Sequence, residues 1–242
     1  MIFVLMFAPL LFAFEDDIDG FKAYTYRNAM GDTIPYRLFV PHDYNKQKSY
    51  PLILWLHGSG GAGTDNIAQI SEDQISGTRL WTQTQAQKNY PTFVHGPQNP
   101  GNWVERLDGL TGKMLLVLEL LDYLKIEFNI DATRIYVVGQ SDGGYGGWNL
   151  VTQKPELFAA AILLCGAGDP RIAFRVTGMP LWVFHGERDA VVPVAESRKM
   201  IAAIRKAGGR PKYTEYARVG HDVWARAFME PELVHWLFAQ HR

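Results

Sequence analysis

The sequence predicts an α/β protein: a mostly parallel central sheet with helices on both faces, begun by an N-terminal antiparallel hairpin. Three observations predict it. Short runs of β-branched, aromatic and apolar residues recur along the chain, several of them apolar throughout, as in strands covered on both faces. From residue 50 onward these runs alternate with helix-period stretches, the signature of strand–helix–strand units. No repeat, low-complexity tract or linker interrupts the 242 residues, 47% of them hydrophobic, so residues 20–242 read as one domain.

Met1 to Phe14 is almost wholly apolar and gives way abruptly to Glu15-Asp16-Asp17. The run is short for a bilayer span, so no stable membrane insertion is expected. It resembles the apolar region of a secretory signal, but lacks a basic start and offers a poor cleavage site at Ala13-Phe14. Residues 1–19 are therefore read as a signal remnant, which favours a secreted or periplasmic location over a cytoplasmic one. A packed or dimer-forming segment is the alternative, leaving a homo-oligomer open.

FKAYTYR and TIPYRLFV, within residues 21–40, flank Gly31-Asp32 and read as a hairpin. YPLILWL (50–56) is a strand buried on both faces. Residues 62–89 are long and polar, and a loop with one short helix is expected there. PTFVHGPQ (91–98) is the next strand. Residues 113–128 form the clearest helix, with Met114, Val117, Leu118, Leu121 and Leu124 on one stripe. Ile135 to Val138 is a strand leading into a Gly-rich turn and a helix reaching the 150s. FAAAILL (158–164), PLWVF (180–184) and KYTEYA (212–217) are further strands. Helices are expected over about 194–207, stopped by Gly208-Gly209, and over 223–238.

Composition excludes several roles. The net charge is −1 and no Lys/Arg run occurs, so nucleic acid is not a partner. Cys165 is the sole cysteine, which excludes an internal disulfide and a Cys-rich metal site. It lies in an apolar strand and reads as a packed thiol.

The chemistry centres on Gly139-Gln140-Ser141-Asp142-Gly143, a G-x-S-x-G pattern at a strand-to-helix turn. Such a turn lifts the serine hydroxyl clear of the sheet and aims the next N–H groups at one spot. A weak serine nucleophile needs a base, and the base an orienting acid. Asp189 lies just past PLWVF and His221 just past the last strand, where parallel sheets gather functional groups. Asp169, also at a strand end, is a rival acid. The chain order Ser141, Asp189, His221 is that of α/β-hydrolases. His57-Gly58-Ser59-Gly60-Gly61 follows the strand YPLILWL, where that fold places its second oxyanion donor. The Ser59 N–H is the first choice and Gly60 the second, with the Asp142 N–H from the turn. Gly58, Gly60 and Gly63 also satisfy G-x-G-x-x-G, but polar loop follows where a helix should open, so no dinucleotide is expected.

HGSGGAGTDN, YPTFVHGPQNPGNW, NIDATRIYVVGQSDGGYGGW, FHGERDAVVPV and YTEYARVGHDVW resemble the secreted-type carboxylesterases of the α/β-hydrolase superfamily. These are related to feruloyl esterases, polyhydroxybutyrate depolymerases and the hydrolase domain of prolyl oligopeptidases. The resemblance implies Ser141 as nucleophile, His221 as base and Asp189 as acid, with no metal or cofactor. It also places Gln98 and Trp103 in a loop near the substrate, Trp103 alternatively serving as a packed anchor. Asp142 departs from the methionine that relatives often carry there. Its charge beside an oxyanion hole must point away or be bound by a partner. The expected activity is a serine carboxylesterase acting through an acyl-enzyme on soluble short-acyl or aryl, including feruloyl-type, esters. The connection from Gly166 to Gly178 is too short for a lid of packed helices. A prolyl-oligopeptidase-like peptidase and a non-catalytic binding protein are the alternatives.

Overall fold

A computed structural model describes residues 14–242. The apolar run read as a signal remnant thus lies, through residue 13, outside the described residues. β1 (Phe14–Ile18), β2 (Phe21–Arg27) and β3 (Thr33–Phe39) pair antiparallel at one edge of the sheet. The β2–β3 hairpin closes where Asn28 Oδ1 accepts from the N–H groups of Met30 and Asp32, the local bonding that suits Asn to turns. β4 (Tyr50–Leu56) follows, then α1 (Ile75–Thr82), α2 (Thr84–Asn89) and β5 (Phe93–Pro97). Next come α3 (Gly112–Glu127), β6 (Ile130–Gln140), α4 (Asp142–Gln153) and β7 (Ala160–Leu164). β8 (Leu181–Gly186), α5 (Ala195–Lys206), β9 (Lys212–Tyr216), α6 (Trp224–Ala227) and α7 (Leu233–Phe238) complete the chain.

Among the described residues the sheet has nine strands, ordered β1-β2-β3-β5-β4-β6-β7-β8-β9. β5 joins the two regimes, antiparallel to β3 and parallel to β4. Every later pairing is parallel. The mixed sheet expected from the sequence is therefore present.

Alternation along β4 divides the core. Leu52, Leu54 and Leu56 face a layer that includes Val117 of α3, Trp148 of α4 and Met200 of α5. Ile53 and Trp55 face the other layer, with Trp81 of α1, Ala227 of α6 and Leu233 of α7. All seven β4 residues are buried, and each large apolar side chain so placed contributes about 1.5–3 kcal/mol.

Two stretches differ from expectation. Residues 62–89 hold two 3-10 turns and two short helices, and Gln69, Gln74 and Gln87 are buried there. Polarity signalled a loop, but buried amides bonded to backbone can replace apolar packing. The helix expected over 223–238 is two helices. Pro231 lies between them, and its ring and missing N–H oppose a continuous turn. The 166–178 connection carries only a 3-10 helix, Pro170–Val176, so no packed lid covers the strand ends there. Among the described residues no helix is long and apolar enough to cross a membrane.

Candidate active site

β6 ends at Gln140 and α4 begins at Asp142, leaving Ser141 alone to reverse the chain. Its backbone sits at φ +54°, ψ −118°, a sparsely populated region that costs about 1–3 kcal/mol for a residue with a Cβ. The surroundings enforce it. Ser141 N–H donates to Leu164 O at 2.9 Å, and Tyr145 N–H donates to Ser141 O at 3.0 Å. The flanking glycines permit the close approach: a Cβ on Gly139 would lie 2.1 Å from Gly143 O, and one on Gly143 1.9 Å from Leu56 O.

The three residues expected to act together are joined. Ser141 Oγ lies 2.8 Å from His221 Nε2, and His221 Nδ1 lies 2.7 Å from Asp189 Oδ2. An ionised carboxylate only accepts, so Nδ1 carries the proton and Nε2 is left to accept from the serine hydroxyl. The Asp189 carboxylate is fully buried, and its Oδ1 accepts from Val191 N–H at 2.9 Å and Val192 N–H at 2.8 Å. His185 Nε2, 3.2 Å from Asp189 Oδ2, also donates to Val192 O at 2.9 Å. Ser197 Oγ donates to His185 Nδ1 at 2.7 Å, fixing that ring's tautomer. Burial lowers the His185 pKa, so the ring is neutral beside the acid. The rival Asp169 is engaged elsewhere. It caps the 3-10 helix and accepts from Arg171 Nε and Nη2 at 3.0 and 2.7 Å.

Ser59 and Ser141 line one cavity of about 380 Å³, together with Val104, Leu107, Tyr145 and Val192. Gly60 packs beside Gln74, whose Nε2 lies 3.4 Å from where a Cβ would stand. Asp142 opens α4, so its N–H belongs to the first helical turn, where no carbonyl of the helix can reach it. The glycine pattern at 58–63 forms a single 3-10 turn, Ser59–Gly61, and no helix opens there, which removes the dinucleotide reading.

Gln98 and Trp103 were expected in a loop near the substrate. Both are fully buried. Gln98 Oε1 accepts from Asn66 N–H at 2.6 Å, while its Nε2 donates to Gly61 O at 3.2 Å and Asp65 Oδ1 at 2.8 Å. With every polar atom engaged by the protein, it clamps the 57–66 loop. Trp103 is the packed anchor: Nε1 donates to His57 O at 3.0 Å and the two rings lie 4.9 Å apart.

Sequence reasoning missed the groups behind this wall. Gln74 Oε1 accepts from Gly58 N–H at 2.7 Å and from Gln140 Nε2 at 3.2 Å, tying the Ser59 loop to the end of β6. His57 Nδ1 donates to Gly58 O at 2.7 Å and Nε2 accepts from Asn99 N–H at 3.1 Å. Burial lowers the His57 pKa to about 4. The HG pairs at His57 and His185 were the available signal; Gln74 had none, in a stretch read as loop.

Among the described residues, one group of three metal-type ligands lies together: Cys165, Asp189 and His221, within 4.8 Å. Two of its members are already closed on each other by the 2.7 Å hydrogen bond. Cys165 is buried at φ +40°, its thiol 3.6 Å from His221 O, and burial pushes its pKa up.

A connected Ser–His–Asp array at the carboxyl ends of parallel strands, in that chain order, defines an α/β-hydrolase. The chain belongs to the esterase family, whose model matches residues 27–232. A solved thermostable esterase is 40% identical, with a TM-score of 0.88 over 93% of this chain and 64% of its own. A ferulic acid esterase structure, 15% identical, shares the fold with a TM-score of 0.70 over 96% of this chain and all of its own. Feruloyl esterase B of Neurospora crassa is 27% identical over 53% of this chain and 43% of its own length. Dipeptidyl-peptidase 5 of Porphyromonas gingivalis is 28% identical over 63% of this chain and 23% of its own. The chain thus spans less than half the length of these curated relatives.

Proposed function

We propose that this chain is a serine carboxylesterase that hydrolyses soluble short-acyl or aryl esters through an acyl-enzyme. The observation that carries the reading is the unbroken hydrogen-bonded path Asp189–His221–Ser141, ending on the wall of an open cavity. Ser141 Oγ attacks the ester carbonyl carbon as His221 Nε2 takes its proton. The Ser59 and Asp142 N–H groups hold the developing oxyanion. His221 then protonates the departing alcohol, and the acyl group remains on Ser141. Water, activated by the same imidazole, releases the acid and restores the hydroxyl.

Substrate size follows from the cavity and its cover. About 380 Å³ suits an acetyl, butyryl or aryl group. The short 166–178 connection provides no broad apolar face of the kind a lipase lid buries and exposes at an oil surface. The esterase family match and the 40% identical thermostable esterase support ester over peptide chemistry. A peptidase is the second reading, favoured by the similarity to dipeptidyl-peptidase 5. The test is a panel of aryl esters and dipeptidyl amides, with fluorophosphonate labelling of Ser141. Ser141→Ala and His221→Ala should each lose on the order of 10⁴-fold in kcat on esters. Asp189→Asn should fold but lose comparably through the wrong tautomer. Ester turnover surviving Ser141→Ala, or amides outpacing esters, would overturn the proposal.

A further inference from the structure

Asp142 follows the nucleophile, and its carboxylate is half-buried at the cavity wall. It does not cap its own helix; Oδ2 accepts from Trp103 N–H at 3.0 Å, across 39 residues of chain. Gly146, one turn along α4, presses on the same tryptophan: a Cβ there would lie 2.8 Å from Trp103 Cβ. Trp103 is held on its other sides, its ring N–H by His57 O at 3.0 Å and its carbonyl by Thr111 Oγ1 at 3.3 Å. From His57 the chain continues directly through Gly58 to Ser59. The two backbone N–H groups assigned to the oxyanion, Asp142 and Ser59, are therefore spanned by one path: Asp142 carboxylate, Trp103, His57, Ser59.

We infer that the Asp142 side chain is a positioning residue that sets the spacing of the two oxyanion donors, at the cost of a negative charge beside the oxyanion they bind. The inference rests on the esterase reading above. The acceptor and the charge are separable functions of one carboxylate. An acceptor is needed to hold Trp103; the charge opposes the transition state, because like charges repel most strongly where water is excluded.

Burial raises the Asp142 pKa, the Trp103 bond opposing that shift. Few groups face it. Tyr145 is on its own helix with a pKa raised by burial, and Glu105 lies on the cavity rim. His57 behind Trp103 is neutral, while His221, Asp189 and the raised thiol of Cys165 lie across Ser141. A protonated Asp142 is isosteric with asparagine and keeps an acceptor for Trp103. The sign follows: any advantage of Asp142→Asn should be full where the carboxyl is ionised and vanish as pH falls through its raised pKa.

The experiment compares the wild type, Asp142→Asn and Asp142→Ala. A soluble butyrate ester is assayed from pH 5 to 9, and amide hydrogen exchange is followed in a peptide containing Trp103. Asp142→Asn should keep the Trp103 amide protected and raise kcat roughly threefold at pH 8, converging on wild type in acid. Asp142→Ala should exchange that amide at least about tenfold faster and lose on the order of tenfold or more in kcat, with KM moving less. The inference is overturned if Asp142→Ala, folded by thermal melt, keeps wild-type exchange and kcat. It is equally overturned if Asp142→Asn loses as much as Asp142→Ala. Should the wild type turn over no ester, the esterase reading falls, while amide exchange still decides the tie.

Discussion

The two halves of the candidate site are built in different ways. The nucleophile half is one continuous stretch, from β6 through Ser141 into α4. It is shaped by backbone against backbone, with Gly139 and Gly143 admitting contacts that no Cβ would allow. The oxyanion half, from His57 to Trp103, is drawn together by side-chain bonds to backbone across 16, 32, 42 and 46 residues. Sterics in the first half tolerate no added atom. In the second, the cost lies in leaving a buried donor or acceptor without its partner. The same small cavity is therefore fragile to opposite kinds of change on its two sides.

That contrast can be broken by experiment. The largest effect should come from Gly143→Ala, whose methyl would lie 1.9 Å from Leu56 O. We expect a loss of about 4 kcal/mol or more, seen as no soluble protein or a collapsed urea midpoint. A soluble, active Gly143→Ala would show that the elbow yields and the comparison is wrong. Next is Gln98→Leu, which abandons three hydrogen bonds in the 57–66 loop. Denaturant unfolding should report about 3 kcal/mol lost, while KM of the folded fraction stays near wild type. A raised KM at unchanged stability would return Gln98 to the substrate.

Gln74→Leu should be milder in stability, about 2 kcal/mol, because two donors rather than three groups lose their partner. Its signature is kinetic: kcat falling about tenfold as Gly58 loosens, with little change in KM. Unchanged kcat would mean that the Ser59 loop holds itself. The smallest effect concerns acid. Burial lowers the pKa of His57 to about 4 and of His95, on β5 with neither ring nitrogen hydrogen-bonded, to about 3. Both are depressed below the ordinary value near 6.5, so the unfolded chain binds the extra protons. Stability should be full above pH 6.5 and fall toward pH 4, by about 1 kcal/mol for each imidazole at pH 5.5. His95→Leu should flatten its share of that slope; an unaltered slope would place the acid sensitivity elsewhere.

The charge at Asp142 was read as needing either a distant orientation or a hidden partner, and the partner is a main-chain N–H. Its position illustrates what a sequence leaves open. Nothing local to Ser141-Asp142-Gly143 marks residue 103 as a neighbour, because the bond joins a helix start to a loop 39 residues earlier. Residues 62–89 were misjudged for a related reason. A glutamine in a solvated loop and a buried glutamine whose amide bonds to backbone look alike in sequence, as Gln69, Gln74 and Gln87 do.

What the sequence alone determined is whatever local sterics and hydrophobic periodicity dictate. That includes the apolar strands of the sheet, their alternation with helices, the glycine-flanked elbow and the strand-end placement of Asp189 and His221. Strand ends converge because parallel pairing leaves them no alternative, so Ser141, Asp189 and His221 could be named together before any distance was known. Only the tertiary structure decided that Asp169 pairs with Arg171, that Gln98 and Trp103 bond to the 57–66 loop, that Gln74 accepts from Gly58 N–H and that Asp142 accepts from Trp103 N–H. Those choices rest on hydrogen bonds between segments far apart in the chain. A donor can take any acceptor that folding brings within about 3 Å, and the residue types do not say which one arrives.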